Sequence, residues 1–288
     1  MVENNRVLLA VLAHPDDESF GLGGTLALYA QQGASVYLVC ATRGEAGEVD
    51  EKYLQGYASI AERRVAELRC AAKILGLAEV YFLDYRDSGM PGSPDNQHPQ
   101  ALSAAPCEEV AAKIAEHIRR LRPQVVLTFD PIGGYRHPDH IAVHQATVRA
   151  FKLAGQSGFA SDLPPYLPAR LYFQVFPMGL VRIALKLMPI LGMDPRRFGR
   201  NRDIDLTALV AESNFPIHAR ISHRRVATQE QQAVLCHASQ LEGAALRRGP
   251  LRWLQYLFGH TDYFMRGLPP ASPGLTERDF FHGLDQRA

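Results

Sequence analysis

Four short apolar runs, Val7 to Ala13, Val36 to Ala41, Val80 to Leu83 and Gln124 to Phe129, alternate with longer stretches of helical character, and this restricts the chain to few folds. Continuous runs of branched apolar residues suit strands buried on both faces. Between them, Leu22 to Gln32, Ser59 to Leu75 and Cys107 to Leu121 repeat apolar residues at helical spacing, the last placing Val110, Ile114, Ile118 and Leu121 on one face. Strands alternating with helices imply right-handed β-α-β crossovers, so the expected architecture is α/β and Rossmann-like, a mostly parallel sheet with helices on both faces. Ligands in such sheets bind beyond the carboxyl ends of the strands, which makes the residues just after each strand the place to look for an active site.

A length of 288 residues fits a single catalytic domain with an elaboration. Leu171 to Phe176 reads as a fifth strand, Gly155 to Pro168 as a loop, and Ser222 to Leu241 as a returning helical pattern. Residues 177 to 202 fit neither period, and a cap or lip inserted within 151 to 205 is expected there. The tail after Pro269 carries too many Pro and Gly residues for assignment.

Thirty-one basic residues nearly balance thirty acidic ones, which excludes the basic excess that drives nucleic-acid binding. Cys40, Cys70, Cys107 and Cys236 are scattered singly, with no Cys-x-x-Cys pair, and are expected to be reduced, mostly buried thiols. Arg6 and the run after it imitate a secretion signal, but Glu3 spoils the basic flank and cleavage would remove a needed strand, so the expected location is cytoplasmic. Pro177 to Met193 is interrupted by Arg182, Lys186, Pro189 and Gly192 and is too short and polar to span a bilayer, which leaves membrane contact without positive indication. Association into a homo-oligomer is left open.

Directly after the first run stands His14-Pro15-Asp16-Asp17-Glu18, an imidazole and three carboxylates within five residues. Carboxylates this close repel one another and lose hydration near a core, so a cation, a basic side chain or helix amides must offset them. Capping of the following helix by Asp16 or Asp17 explains only part of the cluster. After the fourth run comes a second loop, Asp130 to His140, containing His137-Pro138-Asp139-His140. A His and a carboxylate from the first loop with a His from the second supply three N/O ligands and leave a zinc position open for water.

The two loops, together with Thr42-Arg43-Gly44-Glu45, Tyr85 to Met90 and Ala233 to Gln240, resemble the LmbE-like family of N-deacetylases, which includes the PIG-L enzymes and the mycothiol and bacillithiol pathway deacetylases. The stretch from Phe151 to Asp205 does not match. The resemblance implies that His14, Asp17 and His140 bind one divalent metal ion, zinc by this reading, and that Asp16 is the general base. Adjacent residues in a turn point different ways, which allows Asp17 to bind metal while Asp16 faces the bound water. His137 would stabilise the oxyanion or protonate the departing amine, with Asp139 orienting an imidazole.

Arg43, Asp87, Ser88 and Tyr135 are candidates for binding the sugar, although Arg43 would equally serve in a surface ion pair with Glu45 or Glu48. His144 is expected to pack or cap; Glu18 and His237 stay open between a structural and a supporting role. The implied activity is metal-dependent hydrolysis of the N-acetyl group of an N-acetylglucosamine-type conjugate, a small-molecule substrate. The competing readings are an amidase acting on a related thiol or amino-sugar conjugate and a non-catalytic sugar-binding protein. A dinucleotide enzyme is disfavoured because Leu26 stands where a Gly-x-Gly-x-x-Gly motif starting at Gly21 needs its last glycine.

Overall fold

The computed structural model describes residues 6–177, 179, 182, 185, 188–189, 194–196, 206–241 and 260–284. Its frame is a seven-stranded sheet in the order β3-β2-β1-β4-β5-β7-β6. Strands β1 (Val7–Leu12), β2 (Ser35–Thr42), β3 (Glu79–Tyr85), β4 (Val125–Thr128) and β5 (Arg170–Val175) run parallel. All five expected strands form, and β1 is buried along its whole length because helices cover both faces. One face carries α2 (Gly23–Gln31) and α3 (Ile60–Leu75), with α8 (Ala227–Cys236), which follows the short α7 (Leu206–Glu212) in the chain, packed on them; the other carries α4 (Cys107–Leu121) and α6 (Pro138–Leu153).

Local chemistry sets the helix ends. Ser59 accepts the N–H of Glu62 to cap α3, Glu62 reaches back to the N–H of Ala58, and Gly76 ends the helix in the left-handed conformation. The chain leaves β1 toward β2 and β3, then crosses back to β4 on the other side of β1. The strand order therefore reverses between β1 and β4, which pair directly from Leu8 opposite Val125 to Ala10 opposite Leu127. A crevice opens at such a switch point, and both His-rich loops leave from it.

Three features depart from the sequence reading. First, β7 (Thr261–Leu268) pairs antiparallel with β5, and β6 (Ala219–Ser222) antiparallel with β7, extending the sheet beyond its parallel part. Second, the unassigned tail enters the core: Phe280 stacks on Tyr29 with centroids 5.3 Å apart, and the Tyr29 hydroxyl accepts the Phe280 N–H at 2.7 Å while donating to Asp279. Third, Cys70 on α3 and Cys236 at the end of α8 form a disulfide, and Cys107 is exposed, so only Cys40 is a buried free thiol. The expectation of four reduced thiols failed because the paired cysteines lie 166 residues apart and meet only through the packing of α8 on α3.

The loop from Gly155 to Pro168 is held by the buried Arg119, whose guanidinium donates to the carbonyls of Ala154, Gln156, Phe159 and Leu163. The expected cap at 177–202 lies almost wholly outside the described residues. Among the described residues, no helix is long and apolar enough to cross a membrane.

Candidate metal and active site

Strand β1 delivers its loop with a tight turn. The Asp17 carboxylate folds back to accept the N–H groups of His14 at 2.7 Å and Ala13 at 3.2 Å, which pins it beneath the first residue of the cluster. Asp16 takes a φ of 132°, a region non-glycine residues seldom occupy, and such strain is characteristic of sites where a side chain must be aimed. It precedes the one-turn helix α1 (Asp17–Phe20) but makes no side-chain cap, so capping does not account for it. Its carboxylate accepts instead from Arg64 at 2.9 Å.

Arg64 went unrecognised in the sequence. Lodged at 4% exposure on α3, it also donates to the carbonyls of Pro15 and Gly44, and a Cβ at Gly44 would come within 2.2 Å of its guanidinium. Gly44 is also left-handed, with φ of 72°, so glycine is required there on both counts. No motif surrounds Arg64; only the packing of α3 beside the β1 loop brings it to Asp16.

After β4, Asp130 accepts the N–H groups of Ile132 and Gly134 and turns the chain through the short helix α5 (Gly133–Arg136). His137 then caps α6, its Nδ1 accepting the Asp139 N–H at 3.2 Å. That bond leaves the proton of the neutral ring on Nε2. Burial, with His14 and His140 nearby, pushes the His137 pKa down to about 2, so the ring is neutral.

The rings of His14, His137 and His140 gather at the switch point, with centroids 4.5 Å apart for His14 and His137 and 5.0 Å for His137 and His140. One potential ligand atom from each of these three lies within 4.8 Å of the others. Asp17 spans two of them, with Oδ1 3.3 Å from His140 Nε2 and Oδ2 3.6 Å from His14 Nδ1. The opposite nitrogen of His14, Nε2, lies 3.0 Å from Asp139, whose carboxylate also accepts the Ser88 N–H and hydroxyl. His140 stacks on Phe129 at 3.9 Å, and its buried Nε2 has no hydrogen-bond partner.

These features fit a divalent cation. Burial alone would lower the His14 pKa, yet Asp87, Asp139 and Asp17 together raise it well above normal, which marks a spot of strong negative potential. Burial would raise the Asp17 carboxyl, but His140 and His14 hold it well below its ordinary range. A cation at the unpartnered His140 nitrogen relieves both charges. Burial raises Asp16 to about 6 against the opposing pull of Arg64, a value suited to accepting and returning a proton near neutral pH.

The remaining predicted residues divide. Asp87 is buried beside His14, with Oδ1 at 3.4 Å from Nε2, and faces the cluster. Tyr135 packs edge-on to His140 at 5.2 Å and is 40% exposed at the mouth. Ser88 is fully buried, its hydroxyl donating to Asp139 and accepting the Ser103 N–H. Arg43 lies across β3, over the Phe82 ring and bonded to Asp84 at 2.6 Å rather than to Glu45 or Glu48. Glu18 and His237, both fully buried, join at 2.7 Å, and Glu18 also accepts the Asp16 N–H, so this pair buttresses the turn that aims Asp16. His144 bonds the Phe129 carbonyl at 2.9 Å and packs on Phe173.

Residues 9–151 match the family model PIG-L, described as GlcNAc-PI de-N-acetylase. A 1D-myo-inositol 2-acetamido-2-deoxy-alpha-D-glucopyranoside deacetylase of Kineococcus radiotolerans is 46% identical over 67% of this chain and 58% of its own length, so the match spans less than two thirds of that relative. A deacetylase of the same name from Streptomyces scabiei is 35% identical over 96% of this chain and 89% of its own. The N,N'-diacetylchitobiose deacetylase of Pyrococcus horikoshii shares the fold, with a TM-score of 0.62 at 20% identity over 91% of this chain and 84% of that one. With the Streptomyces match covering nearly the whole chain and both His-rich loops inside the matched segment, the chain belongs to the PIG-L family.

Proposed function

We propose that the protein hydrolyses the acetamide of a 2-acetamido-2-deoxyglucoside carried on inositol, releasing acetate and the free amine. The reading rests above all on the juxtaposition of Asp16, aimed by Arg64, with the His14, Asp17 and His140 cluster; the inositol aglycone is suggested by the names of the relatives.

His14, Asp17 and His140 would hold one divalent ion, zinc by its preference for this donor set. An ion held by these residues would supply Lewis-acid polarisation of the acetamide carbonyl and acidification of a water molecule. Asp16 accepts the proton as the water oxygen bonds to the carbonyl carbon. His137, neutral and with its proton on Nε2, would donate to the developing oxyanion, and its depressed pKa makes it a donor of a hydrogen bond rather than of a proton. The hydroxyl of Tyr135, whose ring lies edge-on to His137 with centroids 5.9 Å apart, is also able to donate beside it. When the C–N bond breaks, Asp16 returns its proton to the amine nitrogen, and the atoms balance with no further reagent. Asp139 and Ser88 hold the His14 ring.

A cytoplasmic location belongs to the same proposal, and the run that follows Arg6 forms β1, an inner strand of the sheet.

The test is acetate release from N-acetylglucosamine conjugates bearing inositol, malate, lipid or oligosaccharide, with metal supplied. The inositol conjugate is expected to turn over fastest, and His14→Ala with His140→Ala to abolish turnover on all of them. Turnover that survives this double variant would overturn the ligand assignment; preference for another conjugate would overturn the aglycone alone.

A further inference from the structure

A second group of metal-binding side chains lies away from the active site, where the end of β6, helix α8 and the start of β7 meet. His223 follows β6, Glu230 projects from α8, and His260 precedes β7. One potential ligand atom from each lies within 4.8 Å of the other two. We propose that His223, Glu230 and His260 bind a second divalent cation, of the zinc type, which ties these three elements together.

The His223 ring is fully buried, and neither of its nitrogens makes an aligned hydrogen bond. Its Nδ1 nevertheless stands 3.2 Å from Glu230 Oε2. Two ligands of one tetrahedral zinc, each roughly 2.0–2.1 Å from the ion, are separated by about 3.3 Å. The His140 nitrogen at the active site bears the same mark, unpartnered and 3.3 Å from Asp17.

The opposite edge of the ring is prepared as well. His223 Nε2 faces Asp262 Oδ1 at 3.3 Å, and the other oxygen of Asp262 accepts the Thr25 hydroxyl at 2.5 Å. A carboxylate behind a ligating imidazole fixes its orientation and raises its basicity, as Asp139 does behind His14. The backbone supports the pairing of the two histidines, because the His223 N–H donates to the His260 carbonyl at 3.0 Å. Gly24 makes room: a Cβ there would fall 1.9 Å from His223 Nδ1.

Metal analysis of the full chain, saturated with Zn2+ and then desalted, decides the matter. The wild-type chain is expected to hold about two ions and the His14→Ala, His140→Ala chain about one, a three-ligand site accounting for each. Glu230→Gln in the otherwise wild-type chain should lose one ion while keeping turnover, which also certifies its fold. Should Glu230→Gln not fold, Co2+ added to the His14→Ala, His140→Ala chain should give a saturable tetrahedral visible spectrum at one equivalent. One ion in the wild type, no loss with Glu230→Gln, or no cobalt spectrum would each overturn the second site and leave His223 as an imidazolium between Glu230 and Asp262.

Discussion

Asp16 and Asp17 are neighbours with different surroundings. Asp17 is anchored by two backbone amides and turned toward His140, whereas Asp16 is swung by its positive φ toward Arg64. The two should fail differently on conversion to Asn. Asp16→Asn keeps the shape and the bond to Arg64, so metal content should hold while turnover falls by roughly a hundredfold or more, the usual worth of a positioned base. Asp17→Asn replaces an anionic ligand with a neutral one and should weaken metal affinity first. Metal occupancy and acetate release measured on both variants separate the roles; near-normal turnover by fully metallated Asp16→Asn would remove Asp16 from the base position. The residues proposed to touch the reaction were legible because they are adjacent in sequence and dense in charge. Those that hold them were not: Arg64 lies 48 residues from Asp16, His237 lies 219 from Glu18, and neither sits in a motif that names its partner.

Among the elements, helices with a strong apolar face were readable almost to the residue: Cys107 to Leu121 is α4, as its spacing predicts. Strands β6 and β7 escaped because they are antiparallel, lie toward the sheet edge and mix polar with apolar residues, as in Ala219-Arg220-Ile221-Ser222. Helix α4 also carries a titratable weak point. His117 packs on Tyr81 with centroids 4.8 Å apart, and burial, with Arg120 adding repulsion, lowers its pKa to about 4. The folded protein thus resists a proton that the unfolded chain accepts near pH 6.5. The stability this ring permits is complete above about pH 6.5 and is lost as pH falls toward about 4, below which both states are protonated. Partial exposure moderates the effect to on the order of 1–2 kcal/mol. Urea unfolding of wild type and His117→Gln at pH 7.5 and 4.5 should show a smaller acid loss in the variant; equal losses would place the titration elsewhere.

At the scale of the molecule, sequence pattern specified the parallel half of the sheet and the switch point, yet the closing contacts are long-range. Phe280 and Phe281 return to Tyr29, and the disulfide joins α3 to α8 across 166 residues. Those contacts bind the later part of the chain to the unit that holds the site, since α8 ends at Cys236 and the next residue, His237, supports Glu18. Closing so long a loop restricts the unfolded chain, and its removal should cost on the order of 2–5 kcal/mol. The Cys70→Ala, Cys236→Ala protein should therefore show a lower urea midpoint with unchanged occupancy of the active-site metal, because neither sulfur touches that cluster. Disulfides persist in oxidising compartments and are rare in the cytosol, so the bond also bears on the cytoplasmic expectation. Rapid alkylation of cells that make the protein, followed by peptide mass analysis without reductant, should recover residues 70 and 236 linked, with Cys40 and Cys107 alkylated. Recovery of all four as alkylated thiols, together with an unchanged urea midpoint in the double variant, would return Cys70 and Cys236 to the reduced state and leave the docking of α8 to its packing on α2 and α3 and to the Ser239 bonds with Glu67.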